Sequence, residues 1–108
     1  MKIPSGFKIS SANFGLDESD NKNFFIGSEN DVAIIFGEDC FDVAATFTQN
    51  YFAAPPVHFS KKNLKISNQK TRAVFINTVF ANAGTGKIGE KSCQKIADYL
   101  SQNLKISN

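Results

Sequence analysis

The chain has no tryptophan, one histidine, one methionine, two cysteines and three prolines in 108 residues. Each scarcity excludes something. The single histidine, His58, has no Asp, Glu or Cys close to it in sequence, so a histidine-rich metal site is excluded and a structural or surface role is expected. Cys40 and Cys93 lie far apart with no second ligand at metal spacing, which removes zinc knuckles and disulfide frameworks and leaves two free thiols. Cys40 sits between Asp39 and Asp42, an acidic setting that argues against a nucleophilic thiolate. Nowhere do about 18 apolar residues follow one another, and Met1 to Gly6 holds no apolar run of the signal-peptide kind. No membrane partner is therefore expected, and the reading is cytoplasmic. Net charge is only +2, with scattered lysines and no basic stripe, so no nucleic-acid partner is expected either.

What the chain does hold is ordinary for one small soluble domain: 42% hydrophobic residues, 20% charged, and eleven phenylalanines to give a core its aromatic mass. Phe7 to Ile9 and Phe24 to Ile26 read as short strands in a polar setting. Asp31 to Phe36 is a compact apolar run and predicts a buried strand, with Val43 to Thr48 as a second that would pair with it across a short connection. Pro55 and Pro56 predict an extended piece, and Ser60 a cap for a short helix through Leu64. Ser67 to Lys70 is a polar turn. The hexapeptide Asn63 to Asn68 recurs unchanged as Asn103 to Asn108, too short for a structural repeat.

The stretch from Ala73 to Leu104 organises the rest. Ala73-Val74-Phe75-Ile76 predicts a buried strand, Ala81 to Gly89 a glycine-rich loop, and Cys93, Ile96, Ala97, Leu100 and Leu104 one apolar stripe on a helix of about four turns. Cys93 on that stripe is expected to be buried and inert. Lys61, Lys62 and Lys65 read as a solvated helix face. The fold class is α+β, with a mixed sheet and a C-terminal amphipathic helix.

A strand feeding a glycine-rich loop at a helix start is a physical recipe for an anion site, because unpaired N–H groups of the first turn converge there. Gly84 to Gly89 also matches G-x-G-x-x-G, a pattern of dinucleotide loops. The acidic residue that pattern requires about 20 positions on falls beyond this sequence. Ile88 stands where a P-loop needs Ser or Thr. From the residues alone, a packing turn and an anion-binding loop carry equal weight.

Read whole, the same region resembles the ornithine acetyltransferase family, the glutamate N-acetyltransferases of arginine biosynthesis. The family pattern N-S-G-x-A-N-A-x-T-G is close to Asn77 to Gly86 here, and F-T-x-N followed by A-A-P-V is similar to Phe47 to Asn50 and Ala53 to Val57. The resemblance implies a partial copy of an architecture with sheets sandwiched between helices. The chain would be a single N-terminal segment, residues 1–108, of a larger acetyltransferase domain. It implies acetyl transfer from N-acetylornithine to glutamate through an acetyl-threonine, no cofactor, and an oligomer when complete. Its partner would be the C-terminal segment that bears the nucleophilic threonine. The family's Thr-Gly pair supplies an oxyanion hole, which falls on Thr85 and Gly86. The chain departs from the pattern at Val79 and Phe80, at Gly84 in place of a frequent cysteine, and in the extra proline of Pro55-Pro56. By itself the 108-residue chain is expected to be inactive. Two alternatives are a small nucleotide-binding module using Gly84 to Gly89 and a non-catalytic truncated protein.

Overall fold

The computed structural model describes residues 2–13, 30–78 and 81–106. The expected strand at Phe24 to Ile26 lies outside the described residues. In order, the described elements are β1 (Phe7–Ala12), β2 (Val32–Asp42), α1 (Pro55–Ile66), β3 (Lys70–Asn77) and α2 (Gly86–Leu104). The α+β class follows directly.

The three strands form one sheet in the order β1-β2-β3. β1 and β2 are antiparallel, with Phe7 opposite Gly37 and Ala12 opposite Val32. The end of β3 lies against the start of β2, where Thr78 N–H donates to the Asp31 carbonyl at 2.8 Å. The sheet is therefore antiparallel rather than mixed. Val43 to Thr48 forms no strand; β2 runs on through Gly37 to Asp42 and takes β1, not its own continuation, as partner. β3 stands at the outer position of the described order, and Val74 and Ile76 are 39% and 42% exposed. Its apolar run predicts burial on both faces, and within this chain one face is left open.

The chain divides into two compact units, Met1–Phe41 with Arg72–Ala81 and Asp42–Thr71 with Asn82–Asn108. In the first, Asp31 is the junction. Its N–H donates to the Ala12 carbonyl at 3.1 Å, and its own carbonyl accepts from both Thr78 N–H and the Thr78 hydroxyl, so one residue ties the ends of β1 and β3 together. It is also the most buried side chain described, 2% exposed. Gly37 lies beneath the ring of Phe41, which meets Phe7 at 5.0 Å between centroids. Arg72 spans the same place, its Nε donating to the Gly37 carbonyl at 3.0 Å and its guanidinium lying 5.1 Å from the Phe36 ring. A Cβ at Gly37 would stand 2.6 Å from the Asp39 carbonyl oxygen and from Phe41. Backbone cannot swing aside as a side chain can. Gly37→Ala is expected to cost about 1–3 kcal/mol in urea unfolding, by overpacking.

The second unit is two helices. Pro55 and Pro56 open α1 at its first two positions, where a missing N–H costs nothing and the fixed φ suits the helix; Ala54 before them is extended, as a residue preceding proline must be. The prolines thus start a helix of 12 residues rather than an extended piece, and Ser60 lies inside it. The helix ends in a Schellman-type cap: Gln69 N–H reaches the Leu64 carbonyl at 2.8 Å and Asn68 takes φ +52°. α2 ends with Lys105 left-handed and Ile106 N–H on the Ser101 carbonyl. The repeated hexapeptide supplies both ends, yet Lys65 is helical and Lys105 left-handed. Identical sequence in different conformations is not a structural repeat.

Candidate functional site

The second unit carries the loop and helix start that the sequence singles out. The helix begins earlier than its apolar stripe predicts: α2 takes in Gly86 and Gly89, so the last two glycines of the pattern lie in its first turn. Gly84 and Gly86 have φ of +72° and +55°, a region that L-residues enter at a cost of about 1–2 kcal/mol, and a Cβ at either would meet nothing within 4 Å. Conformation, not space, demands glycine there. At Gly89 the reverse holds. A Cβ would collide with Thr85 Oγ1, with Thr85 Cβ at 2.9 Å and with Pro55 Cγ at 2.8 Å. Gly89 is the notch into which Thr85 and the first residue of α1 both fit.

Thr85, half-buried, precedes the helix with φ −89° and does not cap it. Its hydroxyl instead donates to the Asn82 carbonyl at 2.8 Å. Thr85 is thereby held twice, by a hydrogen bond to the loop and by contact with Gly89. The first backbone bond of α2 is Gly89 N–H to the Thr85 carbonyl at 3.2 Å. The N–H groups of Gly86, Lys87 and Ile88 therefore have no helical carbonyl four residues back. Gly86 is exposed and carries no side chain over its backbone.

One residue from each of the two sequence blocks behind the family resemblance, Thr85 and Pro55, borders Gly89. Pro55, from Ala53 to Val57, is buried and lies against Gly89, four residues past Thr85. The F-T-x-N block serves the same end. Thr48 Oγ1 accepts from Asn50 N–H at 3.1 Å, and Asn50 Oδ1 accepts from Phe52 N–H at 2.9 Å, two consecutive side-chain turns that deliver the chain to the start of α1. Spacing alone did not reveal that role. Val79 and Phe80 lie outside the described residues.

The remaining candidates stay apart from this loop's chemistry. His58 is exposed on α1, on an open groove of about 520 Å³ shared with Thr48, Gln49, Asn50, Tyr51 and Lys61, and no acid or thiol lines it. Lys61, Lys62 and Lys65 are solvated, as expected. Among the described residues no three His, Cys, Asp or Glu side chains gather as a metal site would require. Among the described residues the sheet is antiparallel, without the parallel βαβ crossover on which dinucleotide loops are built.

Both cysteines are free thiols, Cys40 exposed and Cys93 half-buried. Burial raises the Cys93 thiol above its ordinary value, with Glu90 adding to the rise and a backbone hydrogen bond opposing it. Its stabilising share is complete below the unfolded thiol's pKa and is lost as pH rises through the higher folded value. Iodoacetamide is expected to label Cys40 first, with Cys93 roughly tenfold slower at pH 8 and catching up only on denaturation. Equal rates in the native protein would contradict this.

A family model described as the ArgJ family matches residues 19–108. The arginine biosynthesis bifunctional protein ArgJ, mitochondrial, of Heterostelium pallidum is 37% identical over 105 residues, covering 96% of this chain and 22% of that protein. The protein of the same name from Dehalococcoides mccartyi is 30% identical over 106 residues, covering 98% and 24%. Among solved structures, an ornithine acetyltransferase from Mycobacterium tuberculosis, crystallised with ornithine, aligns with a TM-score of 0.77 at 29% identity over 94% of this chain and 48% of that one. ArgJ from Bacillus halodurans aligns with a TM-score of 0.81 at 22% identity, a likeness of fold. The chain spans about a fifth to a quarter of the length of these curated relatives. None of its described helices is long and apolar enough to cross a membrane.

Proposed function

This chain belongs to the ArgJ family, and on that premise we propose that residues 1–108 are the N-terminal segment of a larger acetyltransferase domain, contributing the oxyanion hole of an ornithine/glutamate N-acetyltransferase. In the reaction, a threonine hydroxyl on a partner segment attacks the acetyl carbonyl of N-acetylornithine. The C–O bond forms, the carbonyl oxygen takes the negative charge, and collapse breaks the amide C–N bond, releasing ornithine with a proton on its amine. The amine of glutamate then attacks the acetyl-threonine ester, and the threonine hydroxyl is restored as N-acetylglutamate leaves. Each step passes through a tetrahedral oxyanion. Gly86 N–H and the Thr85 hydroxyl are the donors assigned to it.

The observation that carries this reading is the sequence of two residues at the start of α2: Thr85, whose hydroxyl is held by the Asn82 carbonyl and whose side chain abuts Gly89, and exposed Gly86, whose N–H has no helical carbonyl four residues back. That arrangement holds the Thr85 side chain in place, so that only its hydroxyl proton turns from the Asn82 carbonyl to the oxyanion as charge develops. It supplies no nucleophile. The 108-residue chain alone, incubated with N-acetylornithine, is expected to show no stable acetyl adduct by mass spectrometry. Co-expressed with the nucleophile-bearing segment, the adduct is expected on a threonine of that segment. A stable adduct on the chain by itself would contradict the proposal.

A further inference from the structure

α2 is apolar over more of its circumference than α1 covers. At about 100° per residue, Gly89, Cys93, Ala97, Leu100 and Leu104 fall within one arc of about 80° and form the half-buried face. Ile88, Tyr99 and Ile96 fall in the neighbouring arc of similar width, and they are 78%, 67% and 40% exposed. A helix that packs on one neighbour needs one such stripe. α2 has two, side by side.

Beyond Ile88 the helix turns basic. Lys87, Lys91 and Lys95, spaced by four, form a row along the open edge of the second stripe, with Asp98 among them. A second copy of this chain would bring lysine row against lysine row, so the charge disfavours self-association through this face. It suits a partner with an apolar line and an acidic flank. The relatives extend about four times the length of this chain, and among the described residues no aliphatic or aromatic side chain is fully buried. The curated relatives therefore have about three quarters of their length outside the stretch that matches this chain.

We propose that Ile88, Ile96 and Tyr99, rimmed by Lys87, Lys91 and Lys95, are the docking surface for the remaining, nucleophile-bearing part of an ArgJ-length protein. The inference rests on the acetyltransferase reading and adds to it a place of contact. Ile88 follows Gly86 by two residues, so docking on this stripe brings the partner segment to the oxyanion donors.

The probe is the D. mccartyi relative without the stretch that matches this chain, produced as a separate polypeptide and mixed with the 108-residue chain. Wild type is expected to co-elute with it on size exclusion. Ile88→Glu combined with Tyr99→Glu is expected to weaken binding at least about tenfold, and Lys91→Gln with Lys95→Gln to reduce its salt dependence. Both side chains in the first pair are exposed, so circular dichroism and the urea midpoint of the free chain should not change. A control, Ile66→Glu on exposed α1 surface, should bind as wild type. If the double variant binds and supports acetyl transfer as wild type does, the docking surface is wrong and the acetyltransferase reading stands. If wild type does not bind a truncated relative that is folded by circular dichroism, the docking surface falls, and acetyl transfer by the relative with this chain fused in place of the matching stretch decides the acetyltransferase reading separately. A wild-type dimer abolished by Ile88→Glu would assign the stripe to a second copy instead.

Discussion

Thr85→Val in the assembled enzyme is expected to lower kcat roughly 100- to 1,000-fold, the usual cost of one oxyanion donor. Valine keeps the branched shape that fits between Asn82 and Gly89 and removes only the hydroxyl. Thr85→Ser, which restores the hydroxyl, is expected to recover most of the rate. In the resting state the single hydroxyl proton is given to the Asn82 carbonyl. An oxyanion is a stronger acceptor than a neutral amide carbonyl, with charge-assisted bonds about twice as strong, so the proton moves to it as charge develops. The interaction is made in the transition state and not in the ground state, which places the loss in kcat rather than KM. Steady-state kinetics decide the matter. An unchanged kcat with a lower unfolding midpoint would leave Thr85 as a loop tether and the Gly86 N–H as the operative donor.

Gly86 itself cannot be tested by deleting a side chain. Gly86→Ala retains the N–H and adds only the strain of φ +55°, so it perturbs the loop without removing the donor. This is why the hydroxyl, the weaker of the two by exposure and prior commitment, is the informative position.

The same loop shows how far sequence reasoning reaches. The apolar spacing from Cys93 to Leu104 is a local property of a helix, and the half-buried face of α2 follows it apart from Ile96. The start of α2 is not local. Glycine disfavours helix by about 1 kcal/mol, so Gly86 and Gly89 read as loop, while Gly86 is needed for its φ of +55° and Gly89 for the close approach of Pro55, which is remote in sequence. Pro55-Pro56 misleads in the same way. Proline ends a helix from inside and begins one from its first turn, and only the position of the helix distinguishes the two.

Strand pairing is likewise non-local. Val43 to Thr48 has strand composition, yet pairing is decided by which backbone comes alongside, and β1 takes that place. Asp31 was legible only as the leading edge of an apolar run. Its burial, and the two bonds from Thr78 to its carbonyl, depend on β3 ending where it does. A family pattern carries tertiary contacts that periodicity does not. Its two motifs are far apart in sequence, and Thr85 of one and Pro55 of the other both border Gly89.

That contact sets the second large effect. Gly89→Ala is expected to destabilise the chain by about 1–2 kcal/mol, although alanine in an exposed helix would gain close to 1 kcal/mol over glycine. Overpacking costs about 1–3 kcal/mol, and here the new methyl has no free direction, with Pro55 Cγ at 2.8 Å on one side and Thr85 Cβ at 2.9 Å on the other. Something must shift. If α1 shifts, stability falls; if Thr85 turns away, its hydroxyl leaves Asn82 and kcat falls in the assembled enzyme as well. Pro55→Ala separates the two outcomes, because it clears one wall of the notch. Combined with Gly89→Ala it should return part of the lost stability, a coupling of about 0.5–3 kcal/mol in a double-mutant cycle for residues in contact. Urea unfolding of the four proteins measures it. Stability that rises on Gly89→Ala, as it does at an open helical position, would mean that α1 and α2 do not approach as closely as this geometry requires. The packing explanation for the third glycine would then fail.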